Sequence, residues 1–251
     1  MIDVHCHLEQ KDYEKDRNEV IEKCKKELKA IITCCCHPDD FDLTMELVEK
    51  YKNFIFGIAA FHPVYIKESN EEILKNFFEK IEKNKEKIVG IGETGLDFTI
   101  EEREFREKQK EVFLKFISLA KNLNLPLVIH SRKAFAETIE ILEKYEAKNV
   151  LMHFFTAKEL LSKIIKNNWS ISVNTALLNS KNIKKIVRDL KIEKIMTETD
   201  SPWLGPQRQR NDPTSIKLVI EEIAKIKKMK TQEVDKITTQ NAIEFFNLKI
   251  I

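Results

Sequence analysis

The chain has 251 residues, of which 42% are hydrophobic and 33% are charged. This composition supplies enough apolar side chains for a folded core and excludes an intrinsically disordered chain. The 43 basic and 41 acidic residues nearly cancel, which argues against a general nucleic-acid coat or a polybasic membrane anchor. Charged residues begin at Asp3 and no apolar run approaches the length of a membrane span, so a cytoplasmic protein is expected.

Short apolar segments alternate along the chain with longer charged segments. The apolar segments lack strict alternation of apolar and polar residues, which is typical of parallel strands buried on both faces. The eight predicted strands are Ile2–Cys6, Ala30–Cys36, Phe54–Phe61, Ile88–Gly92, Leu125–His130, Asn149–Phe154, Trp169–Asn174 and Lys194–Thr199.

The other segments carry apolar residues at three- and four-residue spacing, which predicts amphipathic helices. These are Phe41–Tyr51, Glu71–Glu86, Glu101–Asn122, Ala134–Lys144, Ala157–Asn167, Ser180–Leu190, Ile216–Met229 and Thr231–Phe246. Thr231 is the predicted cap of the last helix. The β-then-α units predict a (β/α)8 TIM barrel, in the α/β class, as a single domain over residues 1–251. A doubly wound open sheet is the alternative, but its usual Gly-rich phosphate turn is missing.

The chain has five cysteines, which are Cys6, Cys24, Cys34, Cys35 and Cys36. The last three are consecutive in the second predicted strand, where neighbouring side chains point to opposite faces, so a disulfide framework is disfavoured. Packing in the strand explains these thiols better than a zinc site does. Reduced thiols are therefore expected, in keeping with a cytosolic environment.

All six histidines lie at the carboxyl ends of predicted strands, where the active sites of barrels lie. They are His5, His7, His37, His62, His130 and His153. His5 and His7 form an H-x-H pair. Because residues two apart in a strand point the same way, both imidazoles can reach one metal ion.

Two carboxylates lie at the same predicted rim. Glu93 ends the fourth strand in GIGETGLDF, and its two oxygens can bridge two cations, although a cap for the following loop is the alternative. Asp200 ends the KIMTETD segment on the eighth strand. In a closed barrel that strand lies beside the first, so Asp200 is expected next to His5 and His7.

These residues together predict a metal centre: His5, His7, Glu93, His130, His153 and Asp200. Four imidazoles and two carboxylates suit Zn, Mn, Co or Fe, whereas Mg prefers oxygen ligands and fits less well. One catalytic ion that keeps an open position needs fewer ligands. Two divalent ions that share Glu93 are therefore expected.

Several motifs, in order from residue 2 to about residue 246, resemble the TatD family of metal-dependent deoxyribonucleases. They are IDVHCHL, AFHP, IGETGLDF, IHSRKA, HFFTA, TETDSPWLGP, RNDP and TQNAIEFF. The resemblance implies a barrel of the metal-dependent hydrolase type and cleavage of DNA phosphodiester bonds by a metal-bound hydroxide. With Glu93 as the bridge, it also implies that the first ion is bound by His5, His7 and Asp200, and the second by His130 and His153.

DNA is the expected partner, and no membrane or obligate protein partner is predicted. Asp200 is the predicted proton acceptor, because it can touch both a metal ion and the nucleophile, and Glu93 fixes that nucleophile as the bridge. A nuclease also needs cations for phosphates and flat groups for bases. The predicted substrate contacts are His62, Arg132, Trp203 and Arg210, with Arg208 in the same loop. The alternative is an ordinary loop in which Trp203 packs and the arginines pair with acids.

Two other functions remain open at this point. The same metal residues fit a binuclear amidohydrolase, lactonase, phosphotriesterase or aminoacyl-ester hydrolase that acts on a small or non-DNA substrate. A non-catalytic binding protein should have lost a ligand, yet all six residues are present. A Ser-His-Asp hydrolase is disfavoured because the chain has no Gly-x-Ser-x-Gly elbow.

Overall fold

The computed structural model describes residues 1–250. Its eight strands form one sheet whose order follows the chain. The strands are β1 (Ile2–Cys6), β2 (Ala30–Cys35), β3 (Ile55–Ala59), β4 (Ile88–Asp97), β5 (Leu127–Arg132), β6 (Val150–Met152), β7 (Ser170–Val173) and β8 (Ile195–Thr197). Each sequential pair is parallel, so all carboxyl ends meet at one rim, as the (β/α)8 prediction requires.

The sheet curls into a nearly closed barrel, and the segment after β8 bridges the seam to β1. The backbone N–H of Asp200 donates to the carbonyl of His5 at 2.9 Å, and that of His7 donates to the carbonyl of Ser201 at 2.7 Å. These bonds hold Asp200 beside His5 and His7, which confirms the placement predicted from barrel closure.

Nine α-helices lie between or after the strands within residues 1–250. They are α1 (Arg17–Glu27), α2 (Phe41–Lys50), α3 (Glu71–Lys83), α4 (Arg103–Leu123), α5 (Phe135–Lys144), α6 (Leu161–Lys166), α7 (Lys181–Asp189), α8 (Ile216–Lys227) and α9 (Thr231–Phe246). No helix in this part of the chain is long and apolar enough to cross a membrane.

The structure corrects several predicted boundaries. Helix α1 was not predicted, because only Val20, Ile21 and Cys24 are buried among its eleven residues and its apolar stripe is correspondingly narrow. The predicted cap at Thr231 is wrong: Thr231 is already helical, and no side chain caps α9. Strand β4 continues to Asp97, five residues past its predicted end, whereas β6 and β8 keep only three residues each.

Apolar side chains form two layers. Alternate residues of the strands, such as Val4, Ile32 and Leu151, fill the barrel, and Phe246 of α9 closes its amino-terminal end from below. The intervening residues pack outward against the helices. In β2 this alternation directs Cys34 into the barrel and Cys35 towards the helices. The bottom of the barrel is therefore packed, and the opposite rim carries the polar groups.

Candidate metal centre

His5 and His7 lie with their imidazoles together at the end of β1. Their Nε2 atoms are 3.1 Å apart, and both side chains are buried. The pairing of β1 with β2 is irregular between Asp3 and Cys6. Val4, within this irregular segment, faces the barrel interior, and Cys6 at its end faces the helices. The shifted alternation leaves His5 and His7 directed inward, as the H-x-H prediction requires.

Glu93 occupies the middle of the rim, and its two oxygens face different imidazoles. Oε2 lies 3.4 Å from Nε2 of His5. Oε1 lies 2.6 Å from Nδ1 of His130 and 3.5 Å from Nε2 of both His62 and His153. A carboxylate that faces two groups of imidazoles in this way has the arrangement needed to bridge two cations.

Backbone geometry around Glu93 depends on glycine. A Cβ atom on Gly92 would stand 2.6 Å from both Cβ and the carbonyl oxygen of Val128, and one on Gly95 would stand 2.0 Å from the carbonyl oxygen of His130. Strands β4 and β5 therefore approach each other more closely than any larger residue allows. This close pairing brings Glu93 and His130 into contact.

Asp200 completes the group from the opposite side of the barrel. Its Oδ1 atom lies 3.4 Å from Nε2 of His7 and 3.8 Å from Nε2 of His5. The six residues predicted as ligands thus converge on one rim. His62, predicted as a substrate contact, lies within the same cluster, whereas His37 lies apart, 3.5 Å from Glu68.

Carboxylates also stand behind three of the imidazoles. Oε1 of Glu9 lies 3.2 Å from Nδ1 of His7, and Oε2 of Glu198 lies 2.8 Å from Nδ1 of His153. Oδ2 of Asp97 lies 3.2 Å from Nε2 of His130. The sequence interpretation missed these residues, although each is a charged side chain within a few positions of a predicted ligand. Partners of this kind orient imidazoles for metal binding.

The charges of the cluster balance one another. Burial alone would raise the pKa of Glu93, but the surrounding imidazoles, led by His62 and His153, hold it well below its ordinary range. Burial lowers the pKa of His153, yet the charges of Glu198 and Glu93 raise it to about 10 overall. The pKa values of His7 and His130 are raised as well, whereas burial lowers those of His5 and His62. Without a metal ion, protons on the first group offset the carboxylates, and a bound cation would replace them.

Cys36 is a further side chain of the site that the sequence interpretation did not identify. Its Sγ atom lies 3.6 Å from Oε2 of Glu93, 3.8 Å from Nδ1 of His7 and 3.6 Å from Sγ of Cys34. The contact with Cys34, together with burial, raises the pKa of the Cys36 thiol well above its ordinary value. From the sequence, we explained Cys34, Cys35 and Cys36 by packing in the strand. Packing does not account for the contact of Cys36 with Glu93.

The donor atoms fit divalent metal ions. One atom from each of His5, Glu93 and His153 lies within 4.8 Å of the others, and the same holds for His62, Glu93 and His130. The two sets share Glu93. Imidazole nitrogens with carboxylate oxygens are ligands typical of Zn and similar ions. The cluster therefore offers donor atoms for divalent metal on both sides of Glu93, with His153 beside His5 and His62 beside His130.

A cavity of about 520 Å³ opens over the cluster. Arg132 and Lys133 line it, and neither forms an ion pair among the described residues. Trp203 is 46% exposed at its edge, with its ring centroid 4.7 Å from that of His7. Arg132 and Trp203, predicted as substrate contacts, thus line the cavity over the cluster.

Arg210 is not brought to that cavity. Its guanidinium pairs with both carboxylate oxygens of Asp16 and lies 5.0 Å from the ring centroid of Tyr13. It lines a second, larger cavity on the far side of Trp203. Arg210 therefore fits the alternative given for the loop arginines, in which they pair with acids. Within residues 1–250, it makes no direct contact with the metal cluster. The side chain of Arg208 lies outside the described part of the structure.

Comparison with known proteins gives a consistent result. A family model described as TatD related DNase matches residues 2–247. The chain is 35% identical to deoxyribonuclease TATDN3 of Homo sapiens, over 98% of this chain and 94% of that protein. It is 36% identical to an uncharacterized metal-dependent hydrolase of Methanocaldococcus jannaschii, over 99% and 98% of the two chains. The TatD homolog YjjV of Escherichia coli has the same fold, with a TM-score of 0.90 at 21% identity over 98% of each chain.

Proposed function

This chain belongs to the TatD family of metal-dependent hydrolases, and we propose that it is a deoxyribonuclease that uses two divalent ions to hydrolyse DNA phosphodiester bonds. The observation that carries the proposal is the position of Glu93, whose two oxygens face separate groups of imidazoles. The name of its human relative, a deoxyribonuclease, supports DNA as the substrate.

The ligands divide between the two oxygens of Glu93. On the Oε2 side, we assign His5, His7 and Asp200 to the first ion, since their donor atoms lie within 4 Å of one another or of Glu93. On the Oε1 side, His130 and His153 are assigned to the second ion. Zn, Mn, Co and Mg are the ions to consider, and the imidazole-rich set favours the first three.

When bound, the two ions would polarise a phosphoryl oxygen and make a water molecule at the centre more acidic. The protein residues then position the groups and move the proton. Asp200 is the proposed acceptor: burial raises its pKa, but the hydrogen bond with His7 and nearby imidazole charges lower it overall. It is therefore ionised at neutral pH and ready to accept a proton.

Substrate contacts follow from the cavity above the cluster. His62, beside Oε1 of Glu93, is proposed to hydrogen-bond a phosphoryl oxygen. Arg132 supplies an unpaired cation for a neighbouring phosphate, and the exposed ring of Trp203 offers a stacking surface for a base. Arg210 is proposed to contact a phosphate farther along the strand, beyond Trp203, at the expense of its ion pair with Asp16.

The proposal is tested with end-labelled DNA oligomers and a panel of small amide, lactone, phosphotriester and aminoacyl-ester substrates, at a fixed concentration of Mn or Zn. Cleavage of DNA at a rate well above that of the small substrates is expected. Turnover of a small neutral substrate without DNA cleavage would contradict the proposed substrate and leave the metal centre intact.

The Glu93→Gln variant distinguishes DNA cleavage at this metal centre from cleavage by a contaminating nuclease. Loss of the bridge should lower DNA cleavage by more than about 100-fold, because loss of outer hydrogen-bond partners alone costs about 10–100-fold. Glu104→Gln, at an exposed position of α4, is the matched control and should cleave like the parent. Equal activity of both variants would show that the cleavage does not come from this site.

A further inference from the structure

The thiol of Cys36 lies inside the cluster of donor atoms. Its Sγ atom is 3.6 Å from Oε2 of Glu93, the same oxygen that lies 3.4 Å from Nε2 of His5. One donor atom from each of His7, Cys36 and Glu93 lies within 4.8 Å of the others. Cys36 also lines the cavity above the cluster. A thiol placed only for packing would not need to face this cavity.

The distance between Sγ of Cys36 and Oε2 of Glu93 matches that between two ligand atoms of one metal ion. Zinc binds sulfur at about 2.3 Å and carboxylate oxygen at about 2.0–2.2 Å, so two such ligands at a tetrahedral angle are about 3.5 Å apart. The separation between Sγ of Cys36 and Oε2 of Glu93 is 3.6 Å. This separation therefore allows one ion to bind both atoms.

The strand explains why this cysteine differs from its neighbours. Cys34 and Cys36 belong to the interior cluster and Cys35 to the outer one. The Cys35 thiol donates to the carbonyl of His37 at 3.1 Å, away from the cavity. Cys34 also points inward: its Sγ atom contacts that of Cys36 and lies within 4.8 Å of one donor atom from each of His5 and His7. Cys36 differs from Cys34 in that its thiol contacts Glu93 and lines the cavity above the cluster.

We propose that Cys36 is a thiolate ligand of the ion held by His5, His7, Asp200 and Oε2 of Glu93. On coordination the thiol loses its proton to solvent and its sulfur forms a bond to the metal. Sulfur is a soft ligand, so the centre prefers Zn, Co or Fe(II) to Mg. This assignment rests on the metal centre proposed above and adds to it a ligand that sets the choice of metal.

Cobalt titration of the full-length, chelator-stripped protein tests the assignment. Co(II) gives visible d–d bands with imidazole and carboxylate ligands and a near-ultraviolet charge-transfer band only when a thiolate is bound. The wild-type protein should develop both signals together. Cys36→Ser should lose the charge-transfer band and keep the visible bands, whereas Cys35→Ser, the matched control on the opposite strand face, should keep both.

Metal affinity gives a second readout. Cys36→Ser should weaken Zn binding by at least about tenfold in competition with a chromogenic chelator, since even outer partners of a metal site contribute about 10–100-fold. Its Mg affinity should change much less. X-ray absorption of the Zn-loaded wild type should show a sulfur at about 2.3 Å, averaging one sulfur per two zinc ions. This measurement does not depend on whether the variant folds.

The outcomes separate the two proposals. Visible bands without a charge-transfer band in the wild type would overturn the role of Cys36 and leave the metal centre standing. A band that is lost in Cys34→Ser and retained in Cys36→Ser would also overturn it. Failure of the wild-type protein to bind Co(II) or Zn at all would remove both this assignment and the proposed metal centre.

Discussion

At the scale of single residues, imidazole orientation is controlled by carboxylates that the proposed metal ions would not touch. Oε2 of Glu198 lies 2.8 Å from Nδ1 of His153, and Oε1 of the same residue accepts hydrogen bonds from the Phe154 backbone N–H and the Asn174 side chain. Glu198 is fully buried. These contacts fix the His153 ring so that its Nε2 atom faces Glu93.

Glu198→Gln should therefore weaken metal binding without removing a ligand. The amide keeps the shape of the side chain but loses the charge, and affinity should fall by about 10–100-fold. Zinc competition measures the change, and Glu143→Gln in the surface pair with Lys163 is the control. An unchanged Zn affinity in Glu198→Gln would mean that His153 needs no such partner.

The proton on His153 also predicts a pH dependence for the metal-free protein. Its pKa is raised to about 10 by Glu198 and Glu93, against the effect of burial. The resulting stabilisation is complete below the ordinary value of about 6.5 and is lost as the pH rises through about 10. The thermal midpoint of chelator-treated protein should fall over that range, and fall less in Glu198→Gln. Parallel curves for the two proteins would contradict the coupling.

At the scale of elements, the rim depends on close pairing of β4 with β5. The register of this pair shifts between Ile91 and Thr94, where Gly92 lies against Val128 and Glu93 turns inward. A single side chain inserted at Gly92 would push the strands apart beneath the bridging carboxylate.

Gly92→Ala should consequently damage both stability and the site. A Cβ atom 2.6 Å from Val128 forces overpacking, which costs about 1–3 kcal/mol of unfolding free energy. Gly57→Ala in β3 is the control, because its new Cβ would meet only side-chain atoms, the flexible end of Met45 and a methyl group of Val48, both at 3.1 Å. Denaturant unfolding should rank Gly92→Ala well below Gly57→Ala, and equal losses would contradict the argument.

Elements were predictable where their hydrophobic pattern was strong. All eight strands and eight of the nine helices followed from the spacing of apolar residues, and the position of each histidine at the rim followed from strand ends. Helix α1 was missed because only three of its residues are buried, which leaves a weak apolar pattern in the sequence. Cys36 was missed because strand alternation predicts which face a thiol occupies but not how far along the barrel axis the metal cluster lies.

The irregular pairing of β1 with β2 could not be predicted from the sequence either. The shift between Asp3 and Cys6 changes which residues of β1 face inward, and no residue in that segment is one that marks a bulge in advance. The carboxylates behind the imidazoles belong to the same class: Glu9 reaches His7 only because the chain turns after β1. Glu198 and His153 are 45 positions apart, so their contact depends on the fold of the barrel.

At the scale of the whole molecule, the chain is nearly neutral, with a net charge of +2. Binding of DNA must therefore depend on local cations at the rim. Arg132 and Lys133 are exposed cations that line the cavity above the cluster. A DNA strand that reaches the cluster must pass close to them, so its phosphates should release counterions on binding.

Arg132→Ala should raise KM for DNA oligomers with little change in kcat, because the metals and not the arginine carry the chemistry. The slope of log affinity against log salt should become shallower by about 1, as expected for one lost phosphate contact. Arg188→Ala is the control, since Arg188 is exposed elsewhere and pairs with Asp189. An unchanged KM and salt slope in Arg132→Ala would remove Arg132 from the DNA path.

Metal dependence of DNA cleavage tests the central claim most directly. Wild-type protein is stripped with a chelator and titrated with Mn, Co or Zn while the cleavage of a labelled DNA oligomer is followed. The proposed centre predicts no cleavage in the stripped protein and a rise that saturates at about two ions per chain. Full cleavage in a sample shown by elemental analysis to be metal-free would contradict the account.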